Sequence, residues 1–248
     1  MYEQTTQRQR GLSSSTLKIL AMFFMLCDHM WATIVPGNLW LTCVGRLAFP
    51  IFAFQISEGF VHTHDLREYL KRMLLFALIT EIPFNLMLGG WINPFHQNVM
   101  FTFWIALLIL RQIRGARQRG AVQYVLGILL WSVIGFWTGM FLFVDYYGYG
   151  ILMVILFYIT RDIPYGRLLQ LAGMVYINFE MIGGLCLPLE VGTWSYSFPV
   201  QGLAVLALIP IWLYNGQKGK YSGQVQKICY LFYPAHILVL ALLGMSLA

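Results

Sequence analysis

Apolar residues along this chain fall in blocks of roughly 17–22 residues, the length of helix that crosses about 30 Å of hydrocarbon. Short polar stretches separate the blocks, and several carry turn chemistry: Pro36-Gly37-Asn38, Gly89-Gly90, Asn93-Pro94 and Asn215-Gly216. The pattern predicts an all-α, polytopic transmembrane helical bundle of about nine spans, at 16–35, 39–62, 69–89, 95–112, 121–142, 147–161, 166–186, 198–214 and 226–247. Met1 to Ser15 is the longest polar stretch, which leaves no room for a separate soluble domain. Residues 1–248 therefore read as a single membrane domain. The first block follows Arg8 and Arg10, as a signal peptide would. Its apolar run is too long for one, no small-x-small site closes it, and Asp28-His29 interrupts it, so a retained helix is expected.

Composition agrees. The chain is 59% hydrophobic and 10% charged, against about 25% charged in soluble domains. The net charge of +6 is spread over short loops, which reads as a topology signal and not as a nucleic-acid partner. With the N-terminus in the cytoplasm, 15 of the 16 Lys and Arg fall on cytoplasmic segments, and Arg46 is the exception. Cys27, Cys43, Cys186 and Cys229 lie far apart in apolar context, with no C-x-x-C or other metal spacing, and are expected as core residues.

Arg46 lies inside the second span, where a charge costs about 2.5–3.5 kcal/mol or more. Asp28, His29, Glu81, Glu180 and His236 also fall inside spans, most of them in the outer half of the membrane. Asn85, Gln97, Asn98 and Asp145 lie at similar or shallower depth. Lipid tolerates such groups only when they face a polar interior, so they are functional candidates by default.

Lys18 and His29 are eleven residues apart, about three helical turns plus 20°, so both occupy one face with Met22 and Met25 between them. The rise between them is about 16 Å. Histidine suits general-base work near neutral pH, and Asp28 precedes it. The plainer reading is a buried polar pair that locks helices together. Arg46 offers a fixed fork of donors for a carboxylate, phosphate or oxyanion; structurally, it would pair with Glu81 or Asp28. Pro50 frees a backbone carbonyl one turn earlier. Gln55, Glu58 and His62 share one face and read as a helix-end polar network. Glu81 and Asn85 lie one turn apart. His236 follows Tyr233-Pro234-Ala235 near mid-membrane, as a ligand or a hydrogen-bond clamp. His64 and His96 fall in loops and receive no role. No H-E-x-x-H, G-x-S-x-G, Walker A or GxGxxG occurs, so no metal is expected.

At these residues the chain resembles the TraX family, membrane proteins linked to N-terminal acetylation of conjugative pilin. The resemblance runs from about Leu17 to Leu240. It is carried by Lys18-Ile19-Leu20-Ala21, Asp28-His29, Gly45-Arg46-Leu47-Ala48-Phe49-Pro50-Ile51-Phe52, Glu58-Gly59-Phe60, Tyr69 and Arg72. Glu81-Ile82-Pro83-Phe84, Gln97-Asn98-Val99, Asp145-Tyr146 and Tyr233-Pro234-Ala235-His236 complete it. A glycine is expected directly after Asp145-Tyr146; here Tyr147 stands there and Gly148 follows. More distantly, the Lys18–His29 spacing is similar to that of the acyltransferase-three superfamily, whose members usually have ten spans.

The resemblance implies a multi-pass acyltransferase of the bacterial cytoplasmic (inner) membrane, most simply an acetyltransferase. Acetyl-CoA would be the cytoplasmic donor, and an amine or hydroxyl the acceptor, on a pilin, secreted peptide, glycan or lipid. His29 would be the base, with Asp28, Arg46, Glu81 and His236 completing the catalytic group. Lys18 and Arg72 would hold the coenzyme A thioester at the cytoplasmic mouth. Two rivals remain: a transporter, against which the absence of an internal repeat counts, and a non-catalytic pilus or secretion assembly factor.

Overall fold

The computed structural model describes residues 11–192 and 194–247. Arg8 and Arg10 lie outside the described residues. The chain is mostly helical. Helix α1 (Ser14–Thr33) starts where the Ser13 side chain accepts from the Thr16 N–H, satisfying one of the first-turn donors. The second apolar block divides into α2 (Leu39–Gly45) and α3 (Ala48–His62). The break at Arg46-Leu47 sits one turn before Pro50, which cannot donate to the Arg46 carbonyl. Helix α4 (Leu66–Met87) is capped by Asp65 and contains Pro83. Helix α5 (Val99–Arg117) is capped by Asn98 and ends on Arg114 and Arg117, cations that suit the negative end of the helix dipole. There follow α6 (Ala121–Phe141), α7 (Tyr147–Ile159) and α8 (Gly166–Val175), which continues as a π-helical turn, Tyr176–Met181.

The 182–199 region corrects the all-α expectation. Strands β1 (Cys186–Val191) and β2 (Trp194–Pro199) pair antiparallel, with Leu189 opposite Tyr196. The expected spans end at 186 and resume at 198, so 187–197 reads as a connecting loop; with Gly192 at φ +64° at its turn, that loop is a hairpin. A 3₁₀ segment (Val200–Ala207) and α9 (Leu208–Trp212) lead to α10 (Ser222–Leu247).

The nine-span expectation is met only in coarser form. Among the described residues four helical stretches are long and apolar enough to cross a membrane: Leu39–His62, Val99–Arg117, Ala121–Phe141 and Ser222–Leu247. The other segments are shorter, kinked or carry charge. Packing brings the basic ends together at one end of the bundle. Ser14 reaches Gln55, Ser15 reaches the Lys218 carbonyl, and Arg161 reaches Glu58. The core lies where α1, α3, α4, α5, α7 and α10 meet, around Leu17, Ile51, Phe60, Leu107, Ile151 and Ile237.

At the opposite end the backbone is strained. Phe143, Tyr146 and Tyr147 all have positive φ, with Tyr147 at +46°. This explains the glycine expected at that position, since the left-handed region costs a residue with a Cβ about 1–2 kcal/mol. Tyr147→Gly is therefore expected to melt higher than Tyr147→Ala, by about 1 kcal/mol, because both lose the ring and only glycine relieves the backbone. Equal melting temperatures in detergent would show that the strain is absorbed elsewhere.

Candidate functional site

Helices α1 and α10 pack together and set two histidines side by side. His29 Nδ1 lies 2.7 Å from His236 Nε2. The ring planes are 4° apart with centroids 4.9 Å apart. The nitrogen contact is shorter than the roughly 3.5–4.0 Å of stacked faces, so the rings meet edge to edge. The bonding pattern assigns the protons. His236 Nδ1 lies 2.6 Å from the Phe232 carbonyl, which can only accept, so Nδ1 carries hydrogen. In the neutral ring Nε2 is then an acceptor, and it takes the hydrogen of His29 Nδ1. Nε2 of His29 then carries the ring's basic lone pair, as a base requires.

Beside the pair, Arg46 forms an ion pair with Asp28. The approach depends on Gly45, where a Cβ would collide with Asp28. Thr42 Oγ1 donates to Asp28 at 2.8 Å and accepts from Arg46 Nη2 at 3.0 Å. Arg46 Nη1 donates to Gln201 at 3.3 Å, and Gln201 donates to Asn178 at 2.9 Å. Arg46 Nε is buried and has no hydrogen-bond partner among the described residues. A buried charged donor left open is uncommon and marks a place for an acceptor atom. Arg46 thus meets Asp28 and not Glu81, the other partner expected for it.

Glu81 instead clasps the start of α5. Its carboxylate accepts from Asn98 Nδ2 at 2.6 Å and from the Asn98 N–H at 3.2 Å, with Asn85 Nδ2 at 3.4 Å. Asp145 accepts from the Tyr146 N–H at 3.0 Å, and Tyr146 stacks on Phe49 with centroids 3.8 Å apart. His96, for which no role was expected, faces Asp145 at 3.6 Å. That carboxylate raises the imidazole pKa above its ordinary 6.5, against the opposing effect of burial. The sign follows. The pair adds stability fully below about pH 6.5, and loses it as pH rises through the raised folded value. The melting temperature is expected to carry a downward component above neutral pH, which His96→Gln removes. An unchanged slope in that variant would assign the dependence to another group.

A cavity of about 440 Å³ runs from the basic end of the bundle toward the histidines. Lys18, Arg72, His62, His64 and Lys218 stand around it toward that end, and Met25, Val99, Phe103 and Tyr233 line its inner part. Lys18 and Arg72, 54 residues apart in the sequence, thus line one opening. The Tyr233 ring centroid is 6.4 Å from that of His29 and 5.9 Å from that of His236, so one aromatic ring separates cavity and imidazoles. Gln55 and Glu58 line the wall as the expected helix-end network, with Glu58 held by Arg161 at 2.6 Å. Glu180, expected inside a span, falls in the π-helical turn and is exposed. Sequence reasoning assigned no role to Thr42, Gln201, Asn178 and Tyr233. Gln201 did carry a signal, being a lone polar residue within an apolar run.

Comparison with known proteins adds two findings. The family model described as TraX protein matches residues 13–244. The chain is also 29% identical, over 260 residues, to a protein named probable fimbrial assembly protein FimC, serogroup H1, from Dichelobacter nodosus, covering 94% of this chain and 96% of that one. No solved structure matches.

Proposed function

This chain belongs to the TraX family, and from that premise we propose that it is an integral membrane acyltransferase which moves an acetyl group from cytoplasmic acetyl-CoA to an amine or hydroxyl at the membrane or its outer side. One observation carries the reading: a cavity with cationic side chains toward one end leads to within one ring of an imidazole whose free nitrogen is fixed by hydrogen bonding. The phosphates and adenosine of coenzyme A are too polar for hydrocarbon and stay at the opening with Lys18, Arg72 and Lys218. The pantetheine arm is thin enough to enter past Met25, and the roughly 16 Å rise from Lys18 to His29 is comparable to its length.

In the step itself His29 Nε2 takes a proton from the acceptor nitrogen or oxygen as that atom attacks the thioester carbonyl. The carbonyl oxygen gains negative charge, and the open Arg46 Nε–H is suited to meet it. Collapse of the adduct breaks the C–S bond, and the departing thiolate receives the proton from the imidazolium. His236 holds the Nδ1 hydrogen throughout. The same reading threads the chain through nine crossings with the N-terminus in the cytoplasm, on the sorting of Lys and Arg to one set of loops in the sequence. The name of the fimbrial assembly relative favours a pilin or other secreted polypeptide as acceptor.

The test is transfer of radiolabel by the purified protein from acetyl-CoA to a peptide with a free N-terminus. Label on the peptide is expected. Uptake of a solute into vesicles, with neither transfer nor thioester hydrolysis, would replace the enzyme by a carrier. Neither activity would leave an assembly role. Lys18→Ala is expected to raise the KM for acetyl-CoA and leave turnover largely intact at saturating donor. An unchanged KM would reduce Lys18 to a topology signal.

A further inference from the structure

A second cavity, of about 190 Å³, lies at the basic end of the bundle, on the other side of α3 from the donor opening. Phe60 and Val61 of α3, Arg114 and Arg117 of α5, Tyr158 of α7, and Arg161 and Asp162 just beyond it form the walls. The three arginines are not alike. Arg161 is already neutralised, with Nε on Glu58 at 2.6 Å and Nη1 on Asp162 at 2.9 Å. Arg114 lies over the Phe60 ring at 4.4 Å, and Arg117 over the Tyr124 ring at 5.5 Å. Among the described residues neither has a carboxylate within 4.0 Å.

A guanidinium with its face on an aromatic ring keeps its N–H edge for oxygen acceptors; that of Arg117 reaches the Tyr158 hydroxyl, a neutral partner that leaves its charge unbalanced. Arg114 and Arg117 lie three residues apart, on one face of the last turns of α5. Topology and the helix dipole explain arginines at this end. They do not explain why two of them border a recess floored by the buried rings of Phe60 and Tyr158 without an acidic partner. Apolar surface adjoins it: Val61 in its wall is exposed, and α6, whose Tyr124 ring lies beneath Arg117, exposes Val125 and Leu129.

We propose that this recess binds the phosphate headgroup of an anionic phospholipid in the leaflet on the basic side, with Arg114 and Arg117 as its ligands and the acyl chains along α6. Free phosphate shares the charge chemistry but leaves the apolar rim without a partner. The site is independent of acyl transfer.

The test uses full-length protein, delipidated in neutral detergent and titrated with short-chain phosphatidylglycerol, short-chain phosphatidylcholine or inorganic phosphate, read by native mass spectrometry. Phosphatidylglycerol is expected to bind one high-affinity site, and phosphatidylcholine and phosphate far more weakly. Arg114→Gln with Arg117→Gln is expected to weaken phosphatidylglycerol binding on the order of 20-fold, about fivefold per arginine. Asp162→Asn removes a competing carboxylate and is expected to tighten it severalfold, a gain that misfolding cannot produce. Equal affinity for the two lipids, phosphate binding as tightly as phosphatidylglycerol, or unchanged affinity in both variants would overturn the proposal.

Discussion

Replacing His29 with alanine is expected to abolish acyl transfer while acetyl-CoA still binds. Loss of a positioned general base costs roughly 10²–10⁴-fold in turnover. Lys18, Arg72 and the cavity walls remain, so donor affinity stays within a small factor of wild type. The partner histidine separates chemistry from orientation. His236→Ala removes the acceptor at 2.7 Å that keeps hydrogen on His29 Nδ1, so the imidazole can rotate or change tautomer, and turnover falls with little change in KM. His236→Gln presents an amide oxygen to the same N–H and is expected to recover part of the loss. A merely structural role for His236 predicts no such ordering between alanine and glutamine. Near-normal transfer by His29→Ala would move the base elsewhere, and His236 would be the next residue to test.

The second large effect concerns the ion pair. Asp28→Ala leaves the Arg46 guanidinium within the bundle with no carboxylate in direct contact among the described residues, only hydrogen bonds to Thr42 and Gln201. Breaking one side of a buried pair costs about 3–5 kcal/mol, and the partial exposure of both side chains, 22% and 20%, places this one at the lower end. The Asp28→Ala/Arg46→Ala double variant is expected to melt higher than Asp28→Ala alone, because no stranded charge remains. Arg46→Lys tests function apart from folding. A lysine can keep the charge near Asp28 but lacks the Nε–H and the planar fork, so folding survives and transfer is lost. Full activity in Arg46→Lys would remove the guanidinium from the oxyanion site.

Much of this arrangement was legible in the residues. Helical periodicity placed Lys18 and Met25 on one face, and both line the cavity; the deep polar residues include the ones that packing brings together, Asp28 with Arg46 and His29 with His236. Pairing between distant segments was not legible. His29 and His236 are 207 residues apart, and nothing local says that one bonds the other. Asp28 and Glu81 were equal candidates for Arg46 until packing set α1 against α2 through Gly45. Glu81 went to Asn98 because Asn98 caps α5 beside α4, a choice made by tertiary position. The 186–199 hairpin was legible only as the loop between two spans, because its strand pairing, Leu189 opposite Tyr196, is a cross-strand register that a short segment containing Pro188 does not announce. His96 was set aside because a loop histidine carries no periodic signal; its partner Asp145 comes from a different loop.

The account stands most directly on the sidedness of donor use. Acetyl-CoA does not cross lipid, so proteoliposomes of known protein orientation can offer it to one face at a time, with a labelled acetyl group and an acceptor peptide on both sides. Acetylation is expected when donor reaches the face bearing Lys18, Arg72 and Lys218, and not when it reaches only the face bearing Asp145 and the 186–199 hairpin, with His29→Ala inactive from either side. Transfer from the hairpin face, or none from either face with wild-type protein, would contradict the account.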